Sequence, residues 1–140
     1  MTTAGESVVR RYYDELWNHW RLDLAGELLA ADVTFRGSLG PELRGVDGFT
    51  RYVRLVQAAF PDFHNAVEDL LPAGDQVVAR LTYRGTHRGP IFGLAPTGRR
   101  VTYPGMAWFR LASGRIAAAW IVGDTGRLLR ELGALPETPP

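Results

Sequence analysis

The chain has 140 residues, of which 46% are hydrophobic and 22% charged, with a net charge of +1. That describes one globular domain with room for a real core, and no charge excess that would draw it to nucleic acid or an anionic membrane. Cysteine is absent, which excludes disulfides, thiol nucleophiles and Cys-ligated metals. All 16 cations are arginine, scattered along the chain, which points to coding background rather than a binding surface.

The N-terminus, "MTTAGESVVRRYYDELW", lacks the apolar centre of a signal peptide, and no run is long enough to span a membrane. The expectation is a cytoplasmic protein. In "ESVVRRYYDELWNHW" the apolar residues Val8, Val9, Tyr12, Tyr13, Leu16, Trp17 and Trp20 have helical spacing and a broad buried face. "RLDLAGELLA" reads as a short second helix and "DVTFRG" as a first strand. "GVDGFTRYVRLVQAAF" is a third helix with Phe49, Tyr52, Val53, Val56 and Phe60 as its stripe, stopped by Pro61.

After Pro61 the period changes to two. "FHNAVEDLLPAGDQVVARLTYRGTH" reads as two strands joined at "PAGD", and "RRVTYPGMAWFRLASGRIAAAWIVGD" as two more joined at "ASGR". Between the hairpins lies the Gly/Pro-rich loop "RGPIFGLAPTGR". A short helix closes a core of about residues 6–133, and 134–140 are a tail. The order predicts a single α+β domain, with helices on one face of a curved, mostly antiparallel sheet. Val101, Tyr103, Ala107 and Phe109 share one face of their strand; Met106 and Trp108 share the other. With apolar residues on both faces, a homodimer through the sheet is expected. Pro104 and Gly105 suggest a bend or bulge that helps the sheet curl.

Asp124 ends the last strand, in "AAAWIVGDTGRLLREL". Two readings compete. As the residue before a helix it is a favoured N-cap. By strand parity it shares a face with Trp120 and Val122, and a carboxylate looking into an apolar space suits acid–base work.

"YYDELWN", "AADVTFRG", "FPDFHNAVEDLLPAGDQVVARLTYRGTHRG", "GLAPTGRRVTYPGMAWFR" and "GRIAAAWIVGDTGRLLRELG" together resemble the SnoaL-like polyketide cyclases of the NTF2-like superfamily. The resemblance covers about Glu6 to Gly133. It implies a cone-shaped α+β fold with a deep apolar pocket, usually dimeric. It also implies an intramolecular aldol ring closure that uses no metal or organic cofactor. In the family the acid–base residue is an aspartate after the tryptophan of the final strand, a position held here by Asp124. The chain departs from the family pattern at Ala119, where a histidine is common, and at Phe35-Arg36-Gly37, where many members read F-H-D.

His87, in "GTHRG", is the second candidate for chemistry, since an imidazole titrates near neutral pH; the competing reading is a structural hydrogen bond. Donors for an enolate oxygen are sought among Arg36, His87 and Tyr83. Trp17, Phe35, Tyr52, Phe60, Met106, Trp108 and Trp120 are candidates for lining the pocket and binding a hydrophobic small molecule, with core or dimer interface as the alternative. Phe92 is a candidate lid. The three histidines lack metal-ligand spacing, so no metal is expected. Two other functions stay open: a binding protein that turns nothing over, and an epoxide hydrolase of the limonene-1,2-epoxide type, which needs an Asp–Arg–Asp set.

Overall fold

The computed structural model of the chain describes residues 2–136; the last four residues of the expected tail lie outside them. A capping box opens α1 (Ala4–Arg11): the Thr3 side chain accepts the Glu6 N–H, and Glu6 reaches back to the Thr3 N–H. The helix then widens into a π-helical stretch, Tyr12–Trp17, a form that concentrates at functional sites. The second helical segment is shorter than its sequence suggests: a 3₁₀ turn at Leu22–Leu24 and α2 (Ala25–Leu28). β1 (Leu29–Arg36) starts at once, so the last two residues of the expected helix are already strand.

A three-residue strand, β2 (Glu42–Arg44), leads into α3 (Gly45–Ala59). Two antiparallel hairpins follow, β3 (His64–Ala73) with β4 (Gln76–Thr86) and β5 (Arg100–Ala112) with β6 (Arg115–Gly123), and then α4 (Thr125–Glu131). Gly74 and the Ser113–Gly114 pair make the two turns with positive φ. The six strands run in the order β2-β1-β6-β5-β4-β3. Among the described residues only β1 and β6 pair in parallel.

The inner face of this sheet carries Phe35, Leu81, Tyr83, Tyr103, Phe109 and Ile121, all buried against α1, the π-helical stretch and α3. Aromatic rings bind the layers edge to face, for example Tyr12 on Phe109 at 5.3 Å and Phe35 on Phe49 at 4.9 Å.

No bulge falls at Pro104 or Gly105. The β4–β5 register runs through both, Thr82 facing Pro104 and Leu81 facing Gly105. The irregularities lie instead at Leu29/Thr34, Val67/Asp69 and Arg110/Leu111. Gly105 has a packing role: a Cβ there would overlap the Tyr83 ring. Pro104 uses its carbonyl, which accepts the Asp124 N–H at 2.9 Å.

The outer face carries a continuous row from β1 to β3: Arg36, Trp120, Trp108, Val78 and Leu71 are register neighbours. Beside it run Val122, Met106 and Arg80. Trp120 is 45% exposed, Met106 48% and Val122 58%.

Candidate functional site

Between helices and sheet lies a small aromatic cavity that opens to solvent on one side. Tyr13 and Trp17 reach it from the π-helical stretch, and Tyr52 and Val56 from α3. Phe35, Tyr83 and Ile121 form the sheet wall. Gly37, Ser38 and Leu39 form the rim. Of the residues expected to line a pocket, Trp17, Phe35 and Tyr52 do so.

Phe60 does not. It caps the C-terminus of α3 and packs against Phe63 and the His87 ring. Met106, Trp108 and Trp120 do not line the cavity either, because their parity sends them to the outer face. There Trp108 Nε1 donates to Gln76 Oε1 at 2.8 Å. The Arg36 guanidinium lies 4.7 Å over the Trp120 ring, which removes Arg36 from the cavity as well. Phe92, exposed and at φ 52°, borders a separate outer hollow with Leu55 and Ile91 that meets the cavity's rim only at Leu39.

Asp124 shares the outward direction of Trp120 and Val122, as parity demands, but that direction is the solvent side. Its carboxylate is exposed and accepts the Arg127 N–H at 3.0 Å as the N-cap of α4. Ile121, with inward parity, is the β6 residue that faces the cavity. His87 is fully buried but lies outside the cavity lining. Its Nδ1 accepts the Thr97 N–H at 3.1 Å and lies 2.9 Å from the Thr97 hydroxyl. Its backbone N–H donates to the Arg99 carbonyl and its carbonyl accepts the Gly98 N–H. His87 thus anchors both ends of the 88–98 loop. No Asp–Arg–Asp set faces the cavity: Arg80 pairs with exposed Asp69 at 2.8 Å, and Arg110 stacks on Trp108. Among the described residues, no cluster of three or more His, Asp or Glu stands ready for a metal ion.

The polar groups of the lining are therefore neutral: phenols, one indole, Ser38 and Asn65. Burial pushes the Tyr52 phenol up to about 12, tempered by the Leu39 N–H and by Ser38. Burial also pushes the Tyr13 and Tyr83 phenols well above their ordinary value. All three remain protonated donors at neutral pH.

Two of these donors lack a partner. The Tyr13 hydroxyl and Trp17 Nε1 are fully buried and make no hydrogen bond. The Trp17 N–H approaches the Tyr12 phenol closely enough to offset part of the rise that burial imposes there, yet no bond of proper geometry forms. Each unpaired donor costs about 1–3 kcal/mol. Trp17 is fixed by the next residue, Asn18, whose side chain donates to the Asn65 carbonyl at 2.9 Å and accepts the Asn65 N–H at 2.8 Å. The sequence placed Tyr13 and Trp17 on one buried stripe. It held no sign that their polar atoms would be left free.

Compared with known proteins, residues 7–132 match the model of the SnoaL-like polyketide cyclases. The chain belongs to this family. Aklanonic acid methyl ester cyclase DnrD of Streptomyces peucetius is 30% identical over 135 residues, covering 94% of this chain and 92% of DnrD. Among solved structures, IdmH of Streptomyces antibioticus, a candidate polyketide cyclase, superposes with a TM-score of 0.81 at 28% identity, over 92% of this chain and 98% of IdmH. AclR of Streptomyces galilaeus, a candidate hydroxylase, does so with a TM-score of 0.83 at 26% identity, over 96% and 88%. This SnoaL-like chain is thus a polyketide-cyclase-type enzyme on an NTF2-like α+β scaffold.

Proposed function

We propose that this SnoaL-like protein closes a ring in a polyketide-like carbonyl compound within the aromatic cavity, without a cofactor. The observation that carries the reading is a cavity walled by aromatic rings, with hydrogen-bond donors and no charge, in a member of a cyclase family. The rings hold a flexible chain folded, which makes ring closure an intramolecular step of low entropic cost. A carbon between two carbonyls is acidic enough that a weak base removes its proton. The C–H bond breaks, and the proton passes to water at the open side of the cavity. The enolate oxygen is stabilised by neutral donors. The enolate carbon then bonds to the second carbonyl carbon, and the resulting alkoxide takes a proton back from solvent.

A second reading keeps Asp124 as the general acid/base, as the family resemblance implies. It requires the carboxylate to leave Arg127 and turn inward. A third keeps the cavity and removes turnover, leaving a binding protein. The homodimer belongs to the proposal too, with the outer row of Trp120, Trp108 and Met106 as its interface.

The test is alpha-proton exchange in deuterated water with aromatic beta-keto esters, using wild type and Ile121→Trp, which fills the cavity. Exchange above buffer that disappears in Ile121→Trp supports the enzyme. Compounds that bind without exchange turn the reading to a binding protein.

A further inference from the structure

We infer that the Tyr13 hydroxyl and Trp17 Nε1 form a donor pair that receives one carbonyl oxygen of the ligand, and that this pair sets where the reacting carbonyl sits. The inference rests on the reading of the cavity as the ligand site and assigns its polar subsite.

Four observations converge on the pair. Both side chains line the same cavity, and both polar atoms are buried without a partner. The two residues are four apart in the π-helical stretch, so one element carries both. Their rings are held by neighbours. Tyr13 packs edge to face on Phe109 at 5.9 Å, and Trp17 on Phe49 at 6.1 Å and Tyr52 at 6.2 Å. The Asn18–Asn65 bonds fasten the end of the stretch to β3, so the donors are fixed before a ligand arrives.

What sets the pair apart from the other donors is full burial without a partner inside the lining. The Tyr52 hydroxyl is held at the rim, where it accepts the Leu39 N–H, and neither it nor the Tyr83 hydroxyl is among the fully buried unpaired atoms; His87 Nε2, which is, belongs to a residue outside the lining. The Tyr103 hydroxyl, also unpaired, is on a residue outside the cavity lining. An indole N–H donates only, and a phenol can donate while it accepts. An acceptor-only oxygen is the group that satisfies both at once. The ligand class is a small, flat aromatic ketone or its enolate.

The experiment uses acetophenone labelled with ¹³C at the carbonyl. Its carbonyl stretch is read by isotope-edited infrared, with affinity from titration, in the intact protein. In wild type the bound carbonyl absorbs at lower frequency than in a non-hydrogen-bonding solvent. Tyr13→Phe and Trp17→Phe each return part of that shift and weaken binding by roughly three- to tenfold. Tyr13→Phe removes an unpaired hydroxyl, so its melting temperature stays level or rises by about 3 °C. A variant that is no less stable yet binds less well separates a ligand role from a structural one. Bound acetophenone with an unshifted carbonyl in wild type, or with the same shift in both variants, overturns the pair and leaves the cavity reading standing. Failure of wild type to bind acetophenone overturns both.

Discussion

The Tyr52 hydroxyl, from the middle of α3, accepts the backbone N–H of Leu39 at 3.2 Å. The hydroxyl end of the same ring abuts Gly37, where a Cβ would overlap it. One side chain therefore shapes the wall of the cavity and holds its rim. Tyr52→Phe should cost about 1 kcal/mol through the lost hydrogen bond and speed amide exchange at Leu39, measured by nuclear magnetic resonance. Gly37→Ala should cost more, about 1–3 kcal/mol, because the ring has to move.

Asp124 gives a sharper contrast. Asn caps a helix as well as Asp does, and Ala does not. Asp124→Asn is expected to leave stability within a few tenths of a kcal/mol, and Asp124→Ala to lower it by about 1 kcal/mol. Denaturant unfolding of the two variants checks this. Equal losses in both would mean that the carboxylate does something other than cap α4.

The case of Asp124 shows what the sequence could and could not reveal. Alternation groups Trp120, Val122 and Asp124 on one side of β6, and that grouping is right. Alternation does not say which side meets the helices, because both faces of β5 and β6 are apolar. Aromatic content suggested the wrong face: Trp120, Trp108 and Met106 look outward, while small and branched residues such as Ala119 and Ile121 look in. The α3 helix and both hairpins were legible from period and turn residues. β2, only three residues long, left no periodic signal. Phe60 continues the α3 stripe in sequence but lies past the last helical turn, where the chain leaves helical geometry at φ −135°. Trp17, Phe35 and Tyr52 were legible as pocket walls. The free polar atoms of Tyr13 and Trp17 were not, since hydrogen-bond vacancies depend on three-dimensional neighbours.

Alkaline pH offers a global check on the packing. All five tyrosines, Tyr12, Tyr13, Tyr52, Tyr83 and Tyr103, are buried. Burial raises every phenol above the ordinary value of about 10, Tyr52 to about 12. As pH rises, the unfolded chain loses these protons first. The stability they represent is complete below about pH 10 and is lost as pH climbs through the folded values. Native protein should show no phenolate absorbance near pH 10. The absorbance should appear together with loss of the circular dichroism signal. A tyrosine that ionises reversibly near pH 10 in folded protein would contradict the packing.

The outer face of the sheet makes a prediction about assembly. Trp120, Met106 and Val122 leave an apolar stripe in solvent on a single chain. Wild type is expected to sediment as a dimer, and Met106→Glu, at an exposed position, to sediment as a folded monomer. A monomeric wild type would remove the dimer from the account.

The central claim is that the neutral donors of the cavity, and not Asp124, carry the chemistry. The direct measurement is alpha-proton exchange of an aromatic beta-keto ester in deuterated water, run side by side on wild type, Asp124→Asn and Tyr13→Phe. The account predicts that Asp124→Asn exchanges at close to the wild-type rate, and that Tyr13→Phe falls by about tenfold or more. Exchange abolished in Asp124→Asn and retained in Tyr13→Phe would contradict it and return the catalytic role to the aspartate.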